Sequence, residues 1–530
     1  MGMSKMPEVI SLNGGKAWEH DFEKFNVVVY VPKDELISDV VNFGFKSPYL
    51  VVLPEKKLSK EQAADFAERN GLADIARRTA TSVAFVYPSA GDWKDADKEL
   101  YVELIKETKI HQYYKDGVVT FKDRFTKEWG ECFIRGAKYR TCLYGFGASA
   151  DYVANNLLTT IEGEFLWGPG DITPTVCVLE NLSVMPKPSR RDIPIVSVAN
   201  SAKVNEALKS TCDKLLIKDK ADYIEDYDKF VGKYKRWCGN LEPVPDFDAL
   251  GMVEVAGYEE LTTSSDNAGD DMGTATHKVG YLAYYNKGLL DNGPVPTLLA
   301  FHGGGDSSSY ITEVSGWYEV ARKYNFLLIA IENHINSTAT EMIELISRLK
   351  DKFNIDEHRI YGSGFSMGGC KSWDLYQEYP NVFAALAPMD ATFELGLNVY
   401  GQPMKGELNK TVPVPVFYAG GEITPLPELP FQAQKCHDRI KYLFEVNKVK
   451  TPYDVKFEDK DNWKNPIWGI DGDRVVKEHD ASRDSILTMH YFDSEDGVCR
   501  TCLASISEQG HECRQHTCDF AWQFMSKFTR

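Results

Sequence analysis

No run of this chain stays apolar for the roughly 18–20 residues that a membrane-crossing helix requires, although 43% of its 530 residues are hydrophobic and 12% aromatic. The apolar material is therefore available for buried cores. The length exceeds what one core holds, so two domains are expected. Basic residues are in deficit, with 60 Lys and Arg against 78 Asp and Glu and a formal charge of −18. A field of that sign repels phosphate backbones and anionic headgroups, so neither nucleic acid nor membrane is expected as a partner. The opening segment Met1–Lys16 lacks the apolar stretch and cleavage-site residues of a secretory signal, and Met6 stands where a myristoylation pattern needs Ser or Thr. Cysteines are sparse and odd in number, 11 in all. With no leader in view, a cytoplasmic protein with free thiols is expected.

What is present is a repeated alternation. Apolar runs of strand length lie at 25–32, 48–55, 81–89, 139–147, 173–181 and 193–200, with a helical pattern at 60–78. The same order returns at 277–285, 296–304, 326–333, 359–366, 383–389 and 414–420, with a helix at 313–325 answering the one at 60–78. Strands alternating with helices predict mostly parallel, doubly wound sheets. We expect tandem α/β domains, 1–245 and 246–530, meeting near the proline-rich segment Asn240–Gly251 and the polar loop at 262–274.

Chemistry concentrates in the second half. Gly364-Phe365-Ser366-Met367-Gly368 is a G-x-S-x-G sequence between an apolar strand and an amphipathic stretch. A nucleophilic serine needs such a sharp strand-to-helix turn, with flanking glycines that let helix and strand approach. The helix N-terminus then aims N–H groups at a developing oxyanion, the Met367 N–H first among them. One strand–helix unit upstream, His302-Gly303-Gly304-Gly305 follows the run Pro296–Phe301. Glycines there let backbone amides face a ligand, so Gly303 and Gly304 are candidates for the second oxyanion donor and His302 for an anchor of the loop. No Gly-Lys-Ser/Thr follows, which rules out a phosphate-cradling P-loop.

The stretch from Phe353 to Ala391, FNIDEHRIYGSGFSMGGCKSWDLYQEYPNVFAALAPMDA, resembles the esterase branch of the α/β-hydrolases that holds polyhydroxybutyrate-depolymerase-like and feruloyl-esterase-like enzymes. The resemblance covers about 295–425 and returns at the C-terminus. It implies an α/β-hydrolase fold acting on esters, without fixing the ester. In this fold the triad runs nucleophile, acid, histidine. Five histidines follow Ser366 (His437, His479, His490, His511 and His516), and His511 fits best. It stands between the apolar run 500–507 and a closing aromatic helix, where the family carries its Gly-His pair; His516 is the nearest rival. For the acid, Glu422 is the first carboxylate beyond the strand ending at Gly420, with Asp390 as the next candidate. Trp468, in the aromatic insertion 448–490, is a candidate for stacking on a sugar or aryl group, core packing being the other reading.

Cys499, Cys502, His511, Cys513, His516 and Cys518 crowd twenty residues, but their spacing is irregular and no metal or cofactor is expected. The first half looks degenerate. Its matching turn reads Gly145-Phe146-Gly147-Ala148-Ser149, with Gly147 in the nucleophile slot, and residues 112–276 contain no histidine. It is expected to do no chemistry and to serve as a contact surface, against the catalytic half or in a homo-oligomer. The expected activity is hydrolysis of a small-molecule or carbohydrate-linked ester. A serine peptidase of prolyl-oligopeptidase type and a non-catalytic hydrolase-fold binding protein are the alternatives.

Overall fold

The computed structural model describes residues 8–33, 47–108, 136–164, 169–261 apart from 238, 278–398 apart from 305 and 333, and 401–530 apart from 402 and 405, with three short strands between 109 and 135. The chain forms two compact units, Met1–Pro245 and Asp246–Arg530.

In the first unit the described strands make a sheet in the spatial order Ile10–Leu12, Gly15–Asp21, Phe25–Pro32, Val83–Pro88, Pro48–Leu53, Ala137–Phe146, Val176–Glu180, Ile195–Val198, Leu215–Lys218. The three pairings at the first edge are antiparallel and the rest parallel. The second unit repeats the order from Met252–Glu260 through Lys278–Asn286, Leu327–Ile331, Val295–Phe301, Ile355–Phe365, Ala385–Met389 and Val416–Gly421 to Cys499–Ile506. It then adds an antiparallel hairpin, Ser485–Asp493 with Arg474–Asp480. Both units are mostly parallel α/β sheets of the same strand order, whose central strands are largely buried and carry long apolar runs. The register matches too: Leu53 pairs Gly145 in one sheet as Phe301 pairs Gly364 in the other.

The helix Ala339–Lys352 shows how sequence builds these layers. Thr338 caps it and forms a capping box with Glu341, satisfying donors that the first turn leaves open. Met342, Leu345, Ile346 and Leu349 recur at helical spacing and are buried against the sheet. Each such side chain contributes about 1.5–3 kcal/mol, so Leu345→Ala is expected to cost about 2–5 kcal/mol.

Two expectations need correction. The helix expected at 60–78 is two helices, Lys60–Arg69 and Leu72–Arg78, broken at Gly71, whose φ of 77° lies in the left-handed region. The helix expected at 313–325 is likewise a pair, Ser308–Val314 and Trp317–Tyr324, broken at Gly316 with φ 67°. Within the insertion 448–490, the strand Arg474–Asp480 pairs with Ser485–Asp493 and extends the sheet.

Candidate active site

The strand Ile355–Phe365 ends in a turn at Ser366, with φ 54° and ψ −120°, and the helix Met367–Glu378 begins at once. This backbone conformation suits glycine, and a side chain held there costs about 1–3 kcal/mol. The surroundings impose it. The Ser366 N–H donates to the Met389 carbonyl (3.1 Å) and the Cys370 N–H to the Ser366 carbonyl (3.0 Å). A Cβ on Gly364 would overlap the Gly368 carbonyl, and one on Gly368 would overlap the Phe301 carbonyl. These glycines thus set how closely the helix lies on the sheet.

The glycine loop closes on the same turn. The two ring nitrogens of His302 lie 2.7 Å from the carbonyls of Gly303 and Glu332, so this buried side chain anchors the loop. Burial pushes its pKa below the ordinary histidine value. A Cβ on Gly304 would stand 2.5 Å from the Met367 sulfur, and one on Gly303 would stand 3.2 Å from the Phe365 ring. Gly303, Gly304 and Met367 are therefore neighbours; Gly305 lies outside the described residues.

His511 arrives by the loop after Cys499–Ile506. The Gln509 carbonyl accepts from the Ile423 N–H at 3.1 Å, and the carbonyls of Gln509 and Gly510 press on Gly421. The imidazole stacks at a tilt on Phe365, centroids 4.7 Å apart, and thus lies beside the residue that precedes Ser366. Its Nδ1 is 2.5 Å from a carboxylate oxygen, and that carboxylate belongs to Glu428. Burial lowers the pKa of His511, and the Asp390 charge opposes that shift.

The acid expected at Glu422 is therefore corrected. The Glu422 side chain accepts from the Ser505 hydroxyl at 2.8 Å, while Glu428, six residues on, is the buried carboxylate at the imidazole. The reason is the path of the loop. The Tyr418 hydroxyl donates to the Glu428 carbonyl (2.5 Å), and the Gln432 side-chain oxygen accepts from the N–H groups of Glu428 and Leu429 (2.8 Å each). Pro425 and Pro427 stiffen the approach. A carboxylate framed by prolines, in Pro425-Leu426-Pro427-Glu428-Leu429-Pro430, is the signal in the sequence that points to it.

Asp390 also comes to this place. It follows Ala385–Met389 with φ 46°, donates its N–H to the Ala419 carbonyl and accepts the Gly421 N–H at Oδ1, each at 2.8 Å. The Glu428 charge acts on its carboxyl. Burial pushes Asp390 well above the ordinary carboxylate value and Glu428 up to about 8.

Trp468 is not a substrate platform. It is fully buried, 6.0 Å by ring centroids from Tyr418, and its carbonyl accepts from the Tyr453 hydroxyl. The remaining histidines are engaged elsewhere: His437 with the Val455 carbonyl, His479 with Asp484, His490 with the Gly472 N–H, and His516 against Phe520. Cys513 and Cys518 place their sulfurs 3.5 Å apart, whereas Cys499 and Cys502 lie in a strand. Among the described residues no three His, Cys, Asp or Glu side chains are grouped to hold a metal ion.

In the first unit Gly147 makes the corresponding turn, φ 52° and ψ −114°, into the helix Ala148–Asn156. A Cβ there would overlap the Glu55 carboxylate. Ser149 is buried in the turn, where its hydroxyl donates to the Leu53 carbonyl and accepts the Phe146 N–H at 2.7 Å.

No family model matches the chain. It is 27% identical over 147 residues to the bifunctional acetylxylan esterase/xylanase XynS20E of Neocallimastix patriciarum, a match spanning 26% of this chain and a fifth (20%) of that protein. Among solved structures it is similar to the acetyl xylan esterase from Aspergillus awamori, with 11% identity, TM-score 0.32, and coverage of 51% of this chain and 99% of the other. It is also similar to a feruloyl esterase module from Clostridium thermocellum, with 14% identity, TM-score 0.26, and coverage of 40% and 79%.

Proposed function

We propose that this protein is a serine esterase working through an acyl-enzyme on Ser366, with His511 as base and Glu428 as acid. One observation carries the reading: a buried carboxylate lies 2.5 Å from the Nδ1 of an imidazole packed on Phe365, next to a serine in a strained strand-to-helix turn. Glu428 at Nδ1 selects the tautomer whose Nε2 is free to accept the serine proton. Ser366 Oγ then attacks the ester carbonyl, and the oxyanion gathers the N–H groups of Met367 and of the Gly303–Gly304 loop. The imidazolium returns its proton to the departing alcohol, and water, activated the same way, releases the acid.

The ester is carbohydrate-linked or small, by similarity to a protein named an acetylxylan esterase. The test is labelling with a fluorophosphonate probe and turnover of p-nitrophenyl acetate, acetylated xylan and a proline-linked peptide anilide. Labelling confined to Ser366 with ester turnover supports the reading. Peptide cleavage without ester turnover replaces it with a peptidase, and absence of label leaves a binding protein.

We further infer that residues 1–245 are a duplicated copy that has lost its chemistry. Gly147 removes the nucleophile, Glu55 fills its space, and Ser149 is spent on the turn.

A further inference from the structure

The loop that carries Glu428 is held largely by side chains. Pro425, Pro427 and Pro430 have no N–H, so three of the six positions from 425 to 430 donate nothing. Each N–H that remains ends on a side-chain oxygen. Leu426 donates to Thr424 Oγ1 at 3.3 Å, and Glu428 and Leu429 both donate to Oε1 of Gln432 at 2.8 Å. The Gln432 N–H in turn donates to the Leu429 carbonyl at 3.0 Å. One residue therefore grips 428–429 with main chain and side chain together.

The Glu428 side chain does not aim itself. No backbone N–H reaches either of its carboxylate oxygens, so its direction toward His511 follows from where its own backbone is fixed. The Glu428 carbonyl accepts from the Tyr418 hydroxyl at 2.5 Å, and the Pro427 carbonyl accepts from the Cys436 thiol at 3.2 Å. Leu429 is fully buried, and its Cδ2 packs against Gly420. These contacts hold two carbonyls and an apolar side chain; the two N–H groups at the acid share one acceptor. Turning those peptides about the other anchors would swing the carboxylate, and a displacement of about 1 Å in a catalytic constellation costs on the order of 10²-fold.

Resting on the reading of Ser366, His511 and Glu428 as the triad, we propose that Gln432 is the positioning residue of the acid: its side-chain oxygen, by taking both N–H groups at 428 and 429, fixes the peptides from which the Glu428 carboxylate points at His511 Nδ1. The role belongs to the acceptor oxygen and not to the shape of the side chain. Its Nε2 donates to the Thr424 carbonyl at 3.4 Å, which turns the carboxamide with its oxygen toward Glu428 and Leu429. The titratable groups around the pair are Asp390, whose charge acts on His511, and Tyr418, Cys370 and Cys436, on which the Glu428 charge acts. A neutral substitution at 432 leaves the charge of all four as it is, so a change at His511 reports the position of Glu428.

The test compares Gln432→Leu, Gln432→Glu, Glu428→Gln and the double variant of Gln432→Leu with Glu428→Gln, all in the full chain. Each is measured for kcat, KM and pH profile on p-nitrophenyl acetate, with melting curves. Gln432→Leu removes the acceptor and is expected to lose about 10- to 100-fold in kcat with KM little changed. Its acid limb should move to lower pH, because an imidazolium that has lost its carboxylate gives up its proton more readily. A carboxylate at 432 still accepts both N–H groups, so Gln432→Glu is expected to keep kcat within about fivefold and its acid limb at or above the parent's. In the Glu428→Gln background, Gln432→Leu should cost less than about threefold more, since it acts through the group already lost. Should Gln432→Leu fail to fold, Gln432→Asn, whose carboxamide is one methylene short, takes its place with the same expected losses. A lower melting temperature with kcat and acid limb unchanged shows a purely structural role and overturns the proposal. So does a Gln432→Glu variant as damaged as Gln432→Leu, or additive losses in the double variant. An inactive Glu428→Gln beside a fully active Gln432→Leu overturns it while the triad stands. A fully active Glu428→Gln overturns the triad's acid, and the proposal with it.

Discussion

Replacing Glu428 by Gln separates what the first carboxylate after a strand suggests from what the folded loop does. The carboxylate is buried and 2.5 Å from His511 Nδ1, so in the proposed mechanism it does two things at once. It fixes the tautomer with Nε2 unprotonated, and it stabilises the imidazolium that forms when Ser366 gives up its proton. A carboxamide keeps the shape but can present an N–H to Nδ1, which moves the ring proton to Nε2 and leaves no base facing the serine. Losing both effects is expected to cost about 10³–10⁴ in kcat, or about 4–5.5 kcal/mol of barrier. Glu422→Gln weakens a bond from the Ser505 hydroxyl, worth about 0.5–1.5 kcal/mol of stability, and touches no reacting group. The assay is kcat and KM for p-nitrophenyl acetate against a Ser366→Ala background, with melting temperatures to exclude unfolding. KM should move little, because the interaction strengthens in the transition state. A Glu422→Gln enzyme down a hundredfold beside a Glu428→Gln enzyme keeping a tenth of its activity would refute the reasoning.

Three further outcomes are expected. Ser366→Ala and His511→Ala each lose about 10⁴–10⁶ in kcat, and the double variant is no worse, because the two act as a unit; additive losses in single-turnover assays would contradict this. Activity needs neutral His511, whose pKa is lowered by burial, so kcat/KM should fall with decreasing pH through a midpoint below the ordinary histidine value of about 6.5; a midpoint above it would reverse the sign. Trp468→Ala empties a fully buried site and should cost about 3–5 kcal/mol in denaturant titrations, while kcat and KM per folded molecule stay as they are.

How far the sequence could be read depends on how local each determinant is. The turn at Ser366 is encoded within five residues, because Gly364 and Gly368 are needed for the very contacts that make the turn. The strands declared themselves because a parallel sheet covered on both faces needs continuous apolar runs. The break at Gly71 was also local, written in Asn70-Gly71, but the helical pattern on either side hid it. The acid was not local. Whether Glu422 or Glu428 meets His511 depends on Gln432 and Tyr418, which bind the loop backbone from outside it. Trp468 stands in an aromatic and charged insertion with no periodic apolar pattern, so its burial follows only from the core it enters. The hairpin strand Arg474–Asp480 is largely exposed at the sheet edge, and its charged, weakly alternating residues give little strand signal.

The two turns, compared, bear on the origin of the strain at Ser366. Gly147 has φ 52° and ψ −114°, Ser366 has φ 54° and ψ −120°, and each ends a strand with its N–H on a neighbouring carbonyl, Glu180 or Met389. One turn carries a proposed nucleophile and the other carries none, yet the backbone is the same. The packing of helix on sheet therefore sets the conformation, and Ser366 bears its cost because the proposed chemistry requires a side chain there. This yields a prediction. Ser366→Gly should be more stable than Ser366→Ala by about 1–2 kcal/mol, the reverse of the usual penalty for glycine, because glycine adopts this backbone without strain. Both variants lack the hydroxyl, so the comparison isolates backbone strain from hydrogen bonding. Urea denaturation of the two variants, followed by fluorescence of the full chain, measures the difference. A glycine variant less stable than the alanine one would mean that the turn is relaxed with a side chain in place, and that its shape belongs to the active site alone.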